Sequence, residues 1–419
     1  MSKKSLKKSR DKQMKYVLVI GDGMADYPIP ELGNKTPLQA ARKPNMDSIA
    51  AKGKNGLLKT VPNGLNAGSD TAILSVLGYD PQHFCPGRGA LEAAARGIAL
   101  GEQDVVFRCN LITEANGIMI DYSAGHITTK EAEQLIASVK EAFEKPGEIE
   151  FFSGLDYRHF LVLRNLPNSN SIECFPPHDV AGSKISTILP KAKSKEMEKT
   201  AKLLRKAILE SKAILESHPV NVARRKAGKR LGNMIWPWGG GGKPSLPSFR
   251  DRYGLRAAVI SAVDLVKGIG IYTGMKVVNV AGATGLYDTN YEGKAEAALK
   301  ALEDNDLVFV HVEAPDEAGH ERDYVKKVKA IEDLDKRLLG KLLEGLKEPY
   351  VIAVLPDHST PISIGTHARD PVPFAIQSPF LASDGVKRFD EFSARNGAYG
   401  LVEKESLMSL LLASGKRGR

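Results

Sequence analysis

Five short runs of aliphatic and β-branched residues recur along the chain, most of them followed by residues at helical spacing, and this alternation constrains the fold more than any other feature. The runs are "KYVLVIGDG" (15–23), "RAAVISAV" (256–263), "KVVNVAGAT" (276–284), "DLVFVHVEAPD" (306–316) and "YVIAVLPDHS" (350–359). Continuous apolar stretches of this length suit strands covered on both faces, and strands alternating with helices call for parallel connections. The expectation is an α/β fold with a parallel sheet and helices on both faces. Between the last two runs, Val325, Val328, Ile331, Leu334, Leu338 and Leu342 recur at the spacing of one helix face. With 419 residues, 42% of them hydrophobic, the chain can bury one large core plus an insert.

The middle of the chain differs in character. Residues 104–190 hold "DVVFRCNLI", "EIEFFSGL" and "YRHFLVLRN" around one helical pattern, "TTKEAEQLIASVKEAF", which predicts a smaller inserted α+β domain. A Lys/Ala-rich helix is expected at about 191–216. The Gly/Pro/Trp stretch "WPWGGGGKPSLPSF" (236–249) is expected to be a loop that continues neither helix nor strand.

Charge narrows the function classes. The formal charge is +9, but residues 1–15 carry seven Lys/Arg and one Asp and the terminal "GKRGR" three more, so the two tails account for all of it and the body is neutral. A basic patch on a folded face would be the footprint of nucleic-acid binding. Here the charge belongs to ends expected to be disordered, and no specific nucleic-acid partner is expected. No apolar run approaches the roughly 20 residues that span a bilayer, and "MSKKSLKKSRDKQMK" lacks the apolar segment of a secretory signal, so a cytoplasmic protein without a membrane partner is expected. Cys85, Cys109 and Cys174 are odd in number and lack C-x-x-C spacing, which predicts reduced thiols rather than a disulfide framework or zinc ribbon. Oligomeric state has no signature in the sequence.

In parallel α/β sheets, ligands gather beyond the carboxyl ends of the strands. Three runs finish there in metal-type residues: Asp22 after "VLVIG", Asp316 after "VFVHVEAP", and Asp357 with His358 after "VIAVLP". Asp316 and His320 are spaced i, i+4 behind a Pro suited to start a helix, so both can project from one face. His367 follows nine residues after His358. Singly, such an Asp is ordinarily a cap or turn residue and such a His a packed core residue. Together they supply three carboxylates and three imidazoles, a donor set for two divalent cations, Mn²⁺, Zn²⁺ or Mg²⁺, which ligand type alone does not tell apart. A pair of cations suits phosphoryl chemistry. In "NAGSDTAILSVLGYDP" (66–81), Ser69 stands where a helix-like run begins. It can be simply an N-cap, or a nucleophile exposed where backbone N–H groups favour a phosphate.

With these residues in view, the chain resembles the cofactor-independent phosphoglycerate mutases of archaeal type, within the alkaline phosphatase superfamily. The resemblance runs over roughly residues 15–412 and rests on "GDGMAD", "ELGNKTPLQAARKPNMDSIAAKG", "GSDTAILSVLGYDP", "GRGALEAAARGI", "FRCNL", "YRHFLVL", "EAPDEAGH" and "PDHSTPISIGTHARDPVPF" among other segments. It implies a phosphatase-like metal-binding core made of residues 15–103 and 191–415, with the 104–190 insert covering the substrate. It implies one metal on Asp316, His320 and His367 and another on Asp22, Asp357, His358 and the nucleophile Ser69. Ser69 would then accept the phosphoryl group of 3-phosphoglycerate and return it to the 2-hydroxyl, with no bisphosphoglycerate required. Arg88, Arg108, Arg158 and Lys267 are candidates for holding the substrate's carboxylate and phosphate.

The chain departs from the family pattern in two places. It reads "IGDG" where an "IDG" entry is usual, and "DYSAGH" (121–126) where many members have an arginine-rich segment, so Ser123 and His126 stand at positions of substrate-binding arginines. A related branch has been proposed to be homoserine kinases. A kinase acting on an amino-acid hydroxyl and a metal-dependent phosphatase are therefore the alternative activities. The chain has no G-x-x-x-x-G-K-[ST] loop, and "GGGGK" at 239–243 misses that spacing.

Overall fold

The computed structural model describes residues 14–84, 87–166, 172–347, 349–403 and 406–416. The basic tail expected to be disordered lies outside the described residues apart from Met14, as does Cys85. In chain order the strands are β1 (Lys15–Gly21), β2 (Lys54–Leu58), β3 (Val105–Ala115), β4 (Ile118–Asp121), β5 (Ile149–Phe152), β6 (Arg158–Leu163), β7 (Ile172–Glu173), β8 (Lys191–Ala192), β9 (Met234–Gly242), β10 (Ala257–Ile260), β11 (Lys276–Val278), β12 (Leu307–Val312), β13 (Tyr350–Leu355), β14 (Val372–Gln377) and β15 (Gly400–Val402). The chain divides into two compact units, Met1–Cys85 with Leu246–Arg419, and Pro86–Ser245.

The larger unit is built on one eight-stranded sheet in the order β11-β10-β12-β1-β13-β14-β2-β15. The five strands from β11 to β13 are parallel, and they are the five apolar runs of the sequence. Both faces are covered. Val17 and Val19 of β1 share a core with Val308, Val310, Ile352 and Val354 and with the helices Tyr291–Asp304 and Tyr324–Asp333. The alternate residues Leu18, Ile20, Phe309 and Ala353 are equally buried, with helix Asp264–Tyr272 packed on β10 and helix Ser406–Ser414 on β13. The sheet is not parallel throughout: β14 runs antiparallel to both β13 and β2. Parallel neighbours need a long crossover, usually a helix. Residues 356–371, between β13 and β14, contain no helix. They form the loop that carries Asp357, His358 and His367.

The helical stripe in 325–342 is largely buried as expected, passing through a π-helical stretch at Leu334–Leu339. Val325 is the exception, at 63% exposure. It sits in the first turn of its helix, where Asp323 caps the end and the chain has not yet entered the core.

The smaller unit is an antiparallel sheet in which β3 pairs with β6 on one side and with β9 along Val105–Ile112 on the other, and continues from Thr113 in a pairing with β4. Helices Thr129–Phe143 and Glu198–Glu216 pack their apolar residues on one face of it. The first opens on a capping box between Thr128 and Glu131. The unit is therefore larger than the predicted 104–190 insert. It takes in helix Arg88–Ala95 at the front and residues 191–245 at the back, because β9 is a strand of its sheet and not the predicted loop. Trp236, Pro237 and Trp238 lie opposite Asn110, Cys109 and Arg108. Glycine is normally depleted from strands for want of a side chain to pack. Here the space is already filled: a Cβ on Gly240 would stand 2.4 Å from the Phe107 ring.

Candidate active site

Strands β12, β1 and β13 lie side by side and parallel, so their carboxyl ends open at one rim of the sheet. Asp22 directly follows β1, Asp357 and His358 follow β13 by two and three residues, and Asp316 and His320 sit on the helix Ala314–His320 just beyond β12. Gly23 makes the turn after Asp22 possible. Its φ is +61°, and a Cβ there would stand 2.6 Å from both Asp316 Oδ1 and Thr360 Oγ1, so a side chain would push the β1 and β12 loops apart.

The seven residues picked out as metal ligands or nucleophile all meet at this rim. Ligand atoms of Asp22, Asp357 and His358 lie within 4.8 Å of one another, as do those of Asp316, His358 and His367. His320 Nε2 joins the second group, 3.2 Å from Asp316 Oδ2 and 3.0 Å from His367 Nε2. The Ser69 hydroxyl is 3.2 Å from His358 Nε2 and 3.4 Å from Asp22 Oδ2, and it occupies the first turn of the helix Ser69–Val76. No side-chain cap closes that helix end. The simple N-cap role is therefore not the one Ser69 plays.

Two observations fit cations at this rim. Asp22 Oδ1 and Asp357 Oδ2 are buried with no hydrogen-bond partner, an arrangement that costs on the order of 1–3 kcal/mol or more per group if left so. Two imidazole nitrogens also face each other at 3.0 Å across the Asp316 carboxylate, as donors arranged around a common centre do. The carboxylates of the rim are shifted in opposite directions by their surroundings. Burial, then the charges of Asp357, Asp316 and Glu313, push the Asp22 carboxyl well above its ordinary range. Burial would raise Asp316 too, but hydrogen bonds with His320 and His367 hold it well below. In return the Asp316 hydrogen bond lifts His320 to about 9. Such a cluster of acids holds its full charge only with compensating positive charge nearby.

Three contributors to the rim were not picked out from the sequence. Thr360 donates from Oγ1 to Asp316 and lies 3.2 Å from His358 Nδ1. His311, fully buried in β12, stands 3.0 Å from Asp22 Oδ2, and burial lowers its pKa to about 4. A lone His in the otherwise apolar "LVFVHV" was the available signal. Lys327, also fully buried, bonds the Asp26 carboxylate at 2.7 Å, the Thr360 carbonyl at 2.8 Å and the Ala25 carbonyl at 3.3 Å. It ties the loop after β1 to the loop after β13. Lys327→Met should leave the Asp26 carboxylate buried and uncompensated, at a cost of about 3–5 kcal/mol. Urea unfolding measures this, and a loss under about 1 kcal/mol would mean that the two loops hold without the ammonium.

The remaining candidates divide between the units. In the smaller unit, Arg88 and Arg108 both pair with Glu92, Nε to carboxylate oxygen at 2.9 and 3.1 Å. The Arg108 guanidinium is buried and lies 4.4 Å over the Trp238 ring. Burial lowers its pKa to about 10. Burial would raise Glu92, but the charges of Arg108 and Arg88, with that of Arg158, keep it low. Arg158 lies over Tyr157, and His126 meets the edge of the same ring. Ser123 is spent on the turn, donating twice to Asp121 Oδ1 at 2.7 Å. Lys267 belongs to the larger unit, on helix Asp264–Tyr272, within electrostatic reach of the buried Lys294. Of the cysteines described, Cys109 is buried and Cys174 half-buried, and neither forms a disulfide. Among the described residues, no helix is long and apolar enough to cross a membrane.

Known proteins resemble the chain over almost all of its length. The family model described as 2,3-bisphosphoglycerate-independent phosphoglycerate mutase matches residues 50–221, and that of type I phosphodiesterase / nucleotide pyrophosphatase matches 189–364. A 2,3-bisphosphoglycerate-independent phosphoglycerate mutase of Methanosarcina mazei is 53% identical over 405 residues, covering 96% of this chain and 100% of the relative. A probable enzyme of the same name from Geobacter sulfurreducens is 46% identical, covering 95% and 100%. Among solved structures, a Pyrococcus horikoshii protein superposes with TM-score 0.82 at 31% identity, covering 97% of this chain and 100% of that one. The cofactor-independent phosphoglycerate mutase of Thermoplasma acidophilum superposes with TM-score 0.67 at 29% identity, covering 96% and 99%.

Proposed function

The chain belongs to the 2,3-bisphosphoglycerate-independent phosphoglycerate mutases, and from that premise we propose that it interconverts 3- and 2-phosphoglycerate through a phosphoserine at Ser69, served by two divalent cations. One cation would be held by Asp316, His320 and His367, the other by Asp22, Asp357, His358 and Ser69. The observation that carries this reading is the position of the Ser69 hydroxyl, 3.2 Å from His358 and 3.4 Å from Asp22, beside two buried carboxylate oxygens that lack partners. When bound, the cations supply charge neutralisation at the phosphoryl oxygens and favour the serine alkoxide.

The chain's own residues then have these tasks. Ser69 Oγ gives up its proton and forms a bond to phosphorus as the bond from phosphorus to the substrate's 3-oxygen breaks, and that oxygen takes up a proton. The glycerate stays bound, its 2-hydroxyl gives up a proton as its oxygen attacks the phosphoserine, and the bond from phosphorus to Ser69 Oγ breaks as Oγ takes a proton back. The half-buried helix end at Ser69, which lacks a side-chain cap, would offer backbone N–H groups to the transferred anion. Arg88, Arg108 and Arg158, with His126 and Lys267, are the groups proposed to recognise the substrate's carboxylate and phosphate. Arg108 is the best prepared of them, since Glu92 and Trp238 hold its guanidinium in place. Mn²⁺ is the proposed ion, a donor set of carboxylates and imidazoles being compatible with it. A cytoplasmic location accords with a small-molecule substrate.

The mutase names of the close relatives favour this reading over a homoserine kinase or a phosphatase. The test is phosphorus NMR of Mn²⁺-loaded protein incubated with 3-phosphoglycerate without bisphosphoglycerate, and separately with homoserine plus ATP. The expected outcome is 2-phosphoglycerate in the first tube, no inorganic phosphate and no phosphohomoserine. Phosphate release in the first tube would favour the phosphatase, and phosphohomoserine in the second would favour the kinase.

A further inference from the structure

We infer that His311 is a positioning residue that decides which oxygen of the Asp22 carboxylate faces the cation and which faces the protein. The inference rests on the proposed assignment of Asp22 to a cation site. Its basis is a chain of hydrogen bonds across three neighbouring strand ends. Ser261 follows β10, His311 is in β12 and Asp22 follows β1, and these strands are adjacent in that order. Ser261 Oγ lies 3.3 Å from His311 Nδ1, and His311 Nε2 lies 3.0 Å from Asp22 Oδ2. All three side chains are buried.

The direction of each bond follows from its neighbours. The Asp22 carboxylate can only accept, so the ring hydrogen that meets Oδ2 sits on Nε2. In the neutral ring Nδ1 is then the acceptor and takes the Ser261 hydroxyl hydrogen, while Ser261 Oγ itself accepts the Val263 N–H at 3.0 Å. The backbone that carries the ring is held as well, since Lys294 Nζ, fully buried, donates to the His311 carbonyl at 3.1 Å. Asp22 Oδ2 thus receives His311 and Ser69, while Oδ1, on the His358 side at 3.4 Å from its Nε2, has no hydrogen bond. The carboxylate plane is set before any ion arrives. An outer partner that fixes a ligand's orientation in this way is typically worth about 10–100-fold in metal affinity.

The test is calorimetric titration of metal-free protein with Mn²⁺ on a set of variants. His311→Phe keeps the ring volume and removes the donor. It should weaken one of the two Mn²⁺ sites by about tenfold or more and leave the other unchanged. His311→Gln, whose amide N–H reaches the position of Nε2, should recover most of that loss, whereas His311→Asn, which reaches only the position of Nδ1, should not. If the Phe variant fails to fold, the Gln and Asn pair gives the same contrast. Two Mn²⁺ sites of unaltered affinity in His311→Phe and His311→Asn would overturn the inference. So would equal weakening of both sites, which marks a general structural role. Asp22→Asn separates the premise from the inference: if it changes neither affinity, Asp22 is no ligand and both readings fall together. Weakening in Asp22→Asn without weakening in His311→Phe removes the role of His311 alone.

Discussion

Ser69→Ala is expected to lower interconversion of 3- and 2-phosphoglycerate by at least about 10⁴-fold, because removing a covalent nucleophile removes the step on which the rest of the machinery acts. Among the described residues, no hydroxyl but that of Ser69 bonds both Asp22 and His358. Asp70 and Thr71 follow it on the same helix, but the hydroxyl within hydrogen-bond range of both Asp22 and His358 is that of Ser69. Fold and cation binding should largely survive, since six protein ligands remain and the serine side chain is small. The measurement is turnover from 3-phosphoglycerate, together with mass spectrometry of the Ser69 peptide after incubation with substrate. Mutase turnover near the wild-type rate, or a phosphorylated peptide elsewhere in the chain, would remove Ser69 from the reaction.

Stripping divalent cations is expected to abolish turnover and to lower the melting temperature. Asp22, Asp316 and Asp357 are all buried, the ligand atoms of Asp22 and Asp357 lie within 4.8 Å of each other, and His358 lies as close to Asp316 as to that pair. Without ions, burial and the neighbouring carboxylates push Asp22 toward its protonated form, while Asp316 depends on hydrogen bonds with His320 and His367. A ligand that binds only the folded state stabilises it by about 2.7 kcal/mol at 100 times its dissociation constant, so two ions together contribute on the order of 5 kcal/mol. Melting curves and turnover after chelation, and after refilling with Mn²⁺, Mg²⁺ or Zn²⁺ separately, measure both effects and identify the ion that restores activity. His320→Ala and His367→Ala should each retain one ion of the two. Unchanged melting and turnover in protein shown to be metal-free would remove the cation sites altogether.

Much of this rim was legible in the linear chain. Apolar runs long enough to be covered on both faces marked the central strands, and chemistry in parallel sheets collects where such strands end. Asp22, Asp316, Asp357 and His358 could therefore be placed together before any coordinates. The i, i+4 spacing of Asp316 and His320 reads directly as one helix face, and the helix Ala314–His320 bears it out. The stretch at 236–249 was misjudged for a definite reason. Glycine and proline report local preference, whereas β9 exists because its backbone pairs along β3 and the Phe107 ring occupies the space that side chains would need. The boundary of the smaller unit moved with it.

The primary sequence by itself determined the kinds of donor atoms and the ends of the elements that carry them, because strand length, helix spacing and turn residues are local properties of the chain. Only the tertiary structure decided the order β10-β12-β1-β13, and with it which groups touch. That order sets Ser261 against His311 and His311 against Asp22, and Lys327 against two loops distant from it in sequence. Contacts between residues 289 positions apart, such as His311 with Asp22 and Ser69 with His358, arise from strand neighbours chosen by the packing of the whole core. No local pattern of residues encodes that choice.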